Sequence, residues 1–261
     1  MEKNNVVKDI IETGSEITGG VGGAIIGGII GGPAGVIIGG TSGPILTKFF
    51  KIIGTELKAR FLSPREEIRT GAAYTFSIDK ILKNVSEGKK LRQDDFFNPT
   101  ETERSAAEEI FEGIILKSQR EYEENKIKFY GNLLGNIVCD ESIDKVYANQ
   151  LIHLAENLSY HQLCILKVIN LSRMKKINLR KNNYRTEPIN LGREKITLLY
   201  DFIDLENRHL IIDSISPVFG ITDITPSDFE PQGNGNALIK LMELNDIPDE
   251  HCAKIIELLS E

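Results

Sequence analysis

Hydrophobic positions recur at helical spacing along most of the chain, and this pattern predicts a mainly α-helical protein. Apolar and polar faces alternate every three to four residues in several segments before residue 158. The predicted helices there are 4–17, 45–61, 65–87, 103–138 and 143–157. We expect those between residues 55 and 157 to pack together as a central helical bundle.

Local signals mark where some of these helices begin, end and touch. Ser63 followed by Pro64 and two acidic residues is a typical helix start, and Gly88 is a typical residue just beyond a helix end. Gly131 and Gly135 lie four residues apart inside a predicted helix. Because neither has a side chain, we expect another helix to approach closely at this point.

The pattern changes near Ser159, where shorter helices alternate with turns and a short apolar strand. Ser159 and Gln162 fit a capping box that starts a helix. Further predicted elements are a helix at 194–205, a strand after it, a turn at 232–235, and helices at 236–245 and 249–259. This order over about 147–250 resembles a winged helix-turn-helix unit. The resemblance implies a winged-helix-like α+β domain at 158–261 that either grips DNA or docks a protein.

One segment near the start has a different pattern: 31 residues without charge, from Ile17 to Thr47. Within it, glycines recur every four residues, with Ile and Val between them. The glycines of this row are Gly19, Gly23, Gly27, Gly31, Gly35, Gly39 and Gly43. Small residues at this spacing form a flat helix face against which another backbone can pack, as membrane helices do. About 20 helical residues cross the apolar part of a bilayer, so the length is sufficient.

This segment, which we call the glycine tract (residues 17–47), resembles the glycine zippers of membrane-inserting toxins and channels. Pro33 interrupts it and leaves two alternatives open, a kinked single span or a helical hairpin that turns at 31–33. Residues 1–54 would then be an amphipathic helix followed by a membrane-active segment. With the helical domains behind it, this organisation resembles the membrane effectors of bacterial anti-phage, abortive-infection systems. The resemblance implies a toxic, pore-forming or leak-forming function.

Positive charge follows the glycine tract directly, which bears on location and orientation. Residues 48–98 carry a net charge of +4, against −7 for the whole chain. Candidate contacts with anionic lipid are Lys48, Lys51, Lys58 and Arg60. By the positive-inside tendency, the body of the protein stays in the cytoplasm and associates with the inner membrane, permanently or on activation. Three cysteines without paired spacing also fit a reducing compartment.

A second basic cluster occurs in the C-terminal part, between Ser172 and Thr186, where there is no acidic residue. Its members are Arg173, Lys175, Lys176, Arg180, Lys181 and Arg185. These side chains are a candidate surface for nucleic acid, another anionic partner or lipid headgroups, or else they are a solvated loop. Residues 151–261 hold 12 Lys and Arg against 16 Asp and Glu, so nucleic acid is not the expected partner.

No catalytic or metal-binding motif is present, and we expect neither an enzyme nor a cofactor or metal. The four histidines show no metal-ligand spacing, and no nucleophile motif occurs. The leading hypothesis is therefore a homo-oligomeric, membrane-active protein whose body senses a protein partner or another trigger. One alternative is a soluble adaptor whose glycine tract is a buried contact between subunits. Another is a DNA-binding regulator that uses the second basic cluster.

Overall fold

The computed structural model describes residues 62–101, 103–185 and 191–260. The helices predicted at 4–17 and 45–61, the glycine tract and the four cations that follow it lie outside these ranges. The described residues are mainly helical, with a small antiparallel sheet of two strands, which confirms the mainly α prediction. Contacts divide the chain into two compact units between Asn157 and Leu158.

Four helices of the described residues belong to the first unit and four to the second. They are α1 Pro64–Ser86, α2 Ala106–Arg120, α3 Ile127–Ile137, α4 Lys145–Asn157, α5 Tyr160–Arg173, α6 Arg193–Asn207, α7 Gly233–Met242 and α8 Asp249–Ser260. The strands β1 Ile211–Asp213 and β2 Phe229–Pro231 belong to the second unit. Every helix in the described ranges is too short or too polar to cross a membrane.

Helix α1 begins and ends as its sequence signals predict. The backbone N–H of Ser63 donates to the carboxylate of Glu66 at 2.8 Å, which supplies a partner for an otherwise unpaired amide. Hydrogen bonds from Gln119 and Ser63 lower the pKa of Glu66 to about 2. At the other end, Gly88 has a φ of +88°, a left-handed conformation that favours glycine.

The predicted single helix at 103–138 is wrong, because the structure divides it into α2 and α3. After Arg120 the chain becomes extended at Glu121, where ψ is 116°. The Glu121 carboxylate lies 2.6 Å from the Lys126 ammonium, and both side chains are buried. The hydroxyl of Tyr130 also donates to Glu121, at 3.0 Å. A straight helix could not place these three polar groups together inside the core, so the break allows each to find a partner.

Gly131 and Gly135 bring α3 against the backbone of α1, which confirms the predicted close approach. A Cβ atom placed on Gly131 would lie 2.5 Å from the Cβ of Phe76 and 2.9 Å from a backbone carbon of the same residue. A Cβ on Gly135 would lie 2.4 Å from Cγ of Lys80. Both glycines are buried, and the Asn84 side chain donates to the Gly135 carbonyl at 2.8 Å.

Helix α5 is the centre of the second unit, where it packs against α8, β2 and α7. Its Lys167 is buried, and the ammonium donates to the carbonyl of Ile247 at 2.6 Å and to Asp249 at 2.5 Å. These bonds fix the start of α8 on α5. The hydrogen bond from Lys167, together with its positive charge, holds the pKa of Asp249 below its usual range.

Two antiparallel strands complete the second unit, and Ile211 pairs with Pro231 in their register. The predicted apolar strand after α6 is therefore present as β1. The predicted turn at 232–235 is wrong, because α7 already begins at Gly233. The helix also ends at Met242, three residues before the predicted end at 245. Gly235 explains this start: a Cβ there would lie 1.9 Å from the Leu210 carbonyl oxygen, so only glycine lets the helix begin against the sheet.

Candidate functional site

The basic segment, which we define as residues 173–185, begins where α5 ends. Three amides after the helix turn back to its last carbonyls, and Lys175 adopts a left-handed conformation with φ of 56°. The segment then leaves α5 and pairs locally with α8, because the Arg180 amide donates to the Leu259 carbonyl at 2.8 Å. It also lies along residues 222–227, through backbone bonds from Tyr184 to Thr222 and from Ser227 to Arg180.

The three arginines of the basic segment are used in contacts within the second unit. Arg173 lies 3.9 Å from Glu230, and Arg185 lies 2.6 Å from Asp223. The guanidinium of Arg180 donates to two backbone carbonyls and stacks over the Tyr184 ring, 4.6 Å from its centre. A planar guanidinium engaged in this way is not available for base edges or phosphates without losing these bonds.

The three lysines of the basic segment are exposed. Among the described residues, no carboxylate lies within ion-pairing distance of Lys175, Lys176 or Lys181. The structure therefore separates the six predicted side chains into two groups. Arg180 and Arg185 hold the segment on the domain through short bonds, Arg173 makes a longer contact at the end of α5, and the lysines present positive charge to solvent.

A second surface feature, which the sequence analysis missed, is an exposed apolar loop at residues 214–220, directly after β1. Its Ile215 and Phe219 side chains are 72% and 86% exposed, and Pro217 between them is exposed as well. Ile212, in the middle of β1, is a further exposed apolar side chain. Its mixture of Ser, Pro and apolar residues is typical of an ordinary loop. Only the structure shows that its apolar side chains are exposed.

The base of the apolar loop is held closed and lies beside the basic segment. Both the amide and the hydroxyl of Ser214 donate to the Asp228 carbonyl, at 3.0 and 2.9 Å. The Phe219 amide donates to Asp223 at 3.1 Å, and the same carboxylate pairs with Arg185. Arg185 lowers the pKa of Asp223. One carboxylate thus connects the apolar loop to the basic segment.

An open cavity of about 420 Å³ lies elsewhere in the second unit, between α5, α6 and α8. It is lined in part by His161 and His251, each of which has one ring nitrogen occupied. The Nδ1 atom of His161 is 2.7 Å from Asp201, and that of His251 is 2.7 Å from the Tyr160 hydroxyl. Ninety residues separate these histidines in the chain, so no local spacing could have indicated that they share a cavity.

The buried thiols of the second unit contact each other beside α5. Cys164 donates toward Cys252, and this bond together with burial raises the pKa of Cys164. A buried thiol with a raised pKa is a poor nucleophile, whereas the same bond lowers the pKa of Cys252. Within residues 62–101, 103–185 and 191–260, no group of three or more His, Cys, Asp or Glu side chains is placed to hold a metal ion.

Comparison with known proteins adds no relative: no protein-family model, curated protein or solved structure matches the chain. The glycine row from Gly19 to Gly43 and the cations Lys48, Lys51, Lys58 and Arg60 lie outside the described residues. Of the predicted candidate sites, the structure therefore describes the basic segment alone. It adds the apolar loop and the histidine-lined cavity to that segment.

Proposed function

We propose that the protein is a non-enzymatic, membrane-active effector of the kind found in bacterial anti-phage defence. Its helical units form a cytoplasmic body that responds to a protein partner or another trigger. The glycine tract then inserts into the inner membrane, or associates there with other copies, and makes it leak. Helices pack through the glycine row, and the cations at 48–60 stay with the headgroups on the cytoplasmic side.

The observation that carries this proposal is the recurrence of glycine at every fourth residue within a run of 31 uncharged residues. Each glycine inside a helix in water costs about 0.5–1 kcal/mol relative to alanine, so a soluble helix gains nothing from seven in one row. Close contact between backbones offsets this cost where water is absent. The uncharged length is sufficient to cross a bilayer, which favours lipid as the surroundings of this contact.

The first unit supports the same physical argument from its own described residues. Gly131 and Gly135 have the spacing of the glycine tract, and they pack α3 directly on the backbone of α1. Spaced glycines in this chain therefore serve close helix contact at least once. This supports the proposed role of the glycine tract as a surface for helix association.

The second unit supports a protein-docking role for the body better than DNA binding. The order α5, α6, β1, β2, α7 is compatible with the proposed winged-helix-like domain, with the apolar loop in the position of a wing. Residues 151–261 carry more acids than bases, and the three arginines of the basic segment are occupied by contacts within the domain. A DNA reader needs a basic face with free side chains.

Membrane potential in cells that express the full chain tests the proposal. Replacing Gly27 and Gly31 together by Leu places two bulky side chains on the row, so helices can no longer approach closely. We expect the full chain to depolarise the membrane and the double Leu variant to fail, with unchanged protein level. A matched control replaces Ile29 and Ile37 by Leu, which keeps the apolar character and spares the row; it should depolarise like the parent.

Flotation with membranes separates this proposal from the alternatives. If the full chain stays in the soluble fraction in resting and in infected cells, the adaptor hypothesis replaces it. If depolarisation survives the Gly27 and Gly31 substitutions, association through the glycine row is refuted. Retention on DNA that falls with salt and with charge reversal at Lys175 and Lys176 would support the regulator hypothesis instead.

A further inference from the structure

We propose that the apolar loop at residues 214–220 is a second membrane contact, which inserts Ile215 and Phe219 into the headgroup region of an anionic bilayer. The contact lies on the second unit and is separate from the glycine tract, although its role in the cell rests on the proposed function. It would hold the C-terminal unit at the same membrane surface on which the glycine tract acts.

The first observation is the exposure of large apolar side chains on one short loop. Phe219 is 86% exposed and Ile215 is 72% exposed, with Pro217 exposed between them. Single exposed apolar residues are common, but several on one short loop indicate a binding surface. Aromatic and branched aliphatic side chains are of the kind that peripheral membrane proteins bury at the boundary between the headgroups and the acyl chains.

The second observation is that the loop backbone has already satisfied most of its hydrogen-bond donors. The amides of Ile215 and Ser216 both donate to the Asp213 carboxylate, at 2.8 and 2.7 Å. Those of Phe219 and Gly220 donate to Asp223. Pro217 has no N–H at all. Because an unsatisfied backbone group is costly in a bilayer, these bonds favour contact of the loop with lipid, while the Asp213 and Asp223 carboxylates that accept them stay in the aqueous headgroup layer, where a charge remains solvated.

The third observation is charge at the rim of the loop. The carboxylate of Asp223 is neutralised by Arg185, so it does not repel an anionic surface as a free acid would. The neighbouring basic segment adds three exposed lysines that have no carboxylate partner among the described residues. One of them, Lys181, directly follows Arg180, whose carbonyl accepts a hydrogen bond from the Ser227 amide. Exposed apolar side chains on one segment and exposed lysines on the neighbouring one match the layered structure of an anionic membrane, with acyl chains inside and phosphates outside.

Lipid is favoured over the other classes of partner by these same features. A nucleic acid would take the lysines but offers nothing for Ile215 and Phe219 on the loop. A strand from another protein would need unpaired backbone donors along the loop, and five of its amides are already occupied. A fluid membrane needs neither shape complementarity nor backbone pairing.

The chain contains no tryptophan, so Phe219→Trp creates a single fluorescent reporter in the full-length protein. We expect its emission to shift to shorter wavelength and to be quenched by brominated lipid in vesicles of phosphatidylethanolamine with about 30% phosphatidylglycerol, a composition chosen to give an anionic surface. The matched control is Tyr122→Trp, because Tyr122 is 83% exposed but stands between Glu121 and Glu123. Its emission should not change.

Charge and apolar contact are tested separately in the Phe219→Trp background. Lys181→Gln should raise the lipid concentration for half-maximal quenching about fivefold, whereas Lys90→Gln, with the same change in net charge on the first unit, should not. Ile215→Ser should raise it about tenfold or more, since it removes one buried aliphatic side chain. Circular dichroism of each variant verifies that the helices remain folded.

Several results would overturn the inference. If the chain floats with vesicles while the emission of the Phe219→Trp variant stays unchanged, the loop is not a lipid contact, and the glycine tract proposal stands. If the chain does not bind vesicles at all, the loop is not a lipid contact, whereas the glycine tract proposal, which includes a trigger, is decided by flotation and membrane potential in cells. A shift that appears without lipid and grows with protein concentration would identify a second copy of the chain as the partner, and a shift that needs another protein would identify that protein.

Discussion

Replacing Gly131 by Ala tests whether backbone contact between α1 and α3 stabilises the first unit. The added Cβ would lie 2.5 Å from the Cβ of Phe76 and 2.9 Å from backbone atoms of Phe76 and Ser77. Ordinary contact begins near 3.4 Å, so the two helices would have to separate by about 1 Å. Flexible side chains could move aside, but backbone atoms of α1 cannot.

The magnitude follows from two opposing effects. Overpacking a filled core costs roughly 1–3 kcal/mol, and collision with a backbone places this site near the upper value. Alanine regains about 1 kcal/mol of helix propensity relative to glycine. We therefore expect Gly131→Ala to lower the free energy of unfolding of the first unit by about 2 kcal/mol.

Hydrogen exchange of the full chain, read on peptides from α1 and α3, measures this loss where it occurs. The matched control is Gly113→Ala on α2, where an added Cβ would meet only the Cδ1 of Ile152 at 3.8 Å. This variant should be more stable than the parent by up to about 1 kcal/mol, because propensity is gained without a collision. Equal or better protection of α1 and α3 in Gly131→Ala would refute the packing argument.

The buried ion pair and the loop carboxylate give two further predictions. Lys126→Met leaves Glu121 buried without its cation, so urea unfolding should show that the free energy of unfolding falls by about 3 kcal/mol. Adding Glu121→Gln should restore part of this loss. A Lys126→Met variant as stable as the parent would contradict the pairing. Arg185 depresses the pKa of Asp223 below its usual 3.8. The ionised carboxylate should therefore stabilise the loop equally throughout the neutral range, and this stabilisation should be lost only as pH falls below 3.8. Nuclear magnetic resonance of the Phe219 amide should therefore titrate with a midpoint below that value, and a midpoint near 5 would contradict the assigned contacts.

Helices were predictable where a local signal marked their ends. Ser63 and Pro64 start α1 and Gly88 follows its end, so the predicted 65–87 differs from Pro64–Ser86 by one residue at each end. The Ser159 and Gln162 capping box likewise begins α5, and the hydroxyl of Ser159 accepts from the Gln162 amide at 3.1 Å. Such signals act within one turn of helix, so the sequence carries them directly.

Boundaries set by distant contacts were not predictable. The break between α2 and α3 depends on Glu121 and Lys126, which both fall inside the predicted helix at 103–138 and which only the fold buries together. The start of α7 at Gly233 depends on the Leu210 backbone, which only the sheet brings near. A periodicity of apolar residues does not record which polar residues will meet inside the core.

The candidate site shows the same division. The run of basic residues between Ser172 and Thr186 was visible in sequence, but the use of its arginines in contacts within the domain was not, because Asp223 and Glu230 lie far along the chain. The apolar loop escaped notice since exposure is a property of the fold. The glycine tract and its cations lie outside the described residues, so their roles stay predictions.

The glycine contact between α1 and α3 has a mechanical consequence. With backbones touching at Gly131 and Gly135, a slide of α3 along α1 by one residue would drive a neighbouring side chain into the space that only hydrogen atoms now fill. The contact therefore fixes the axial register of the two helices. Because α1 begins at Pro64, we expect a displacement of α3 to move Pro64 with it.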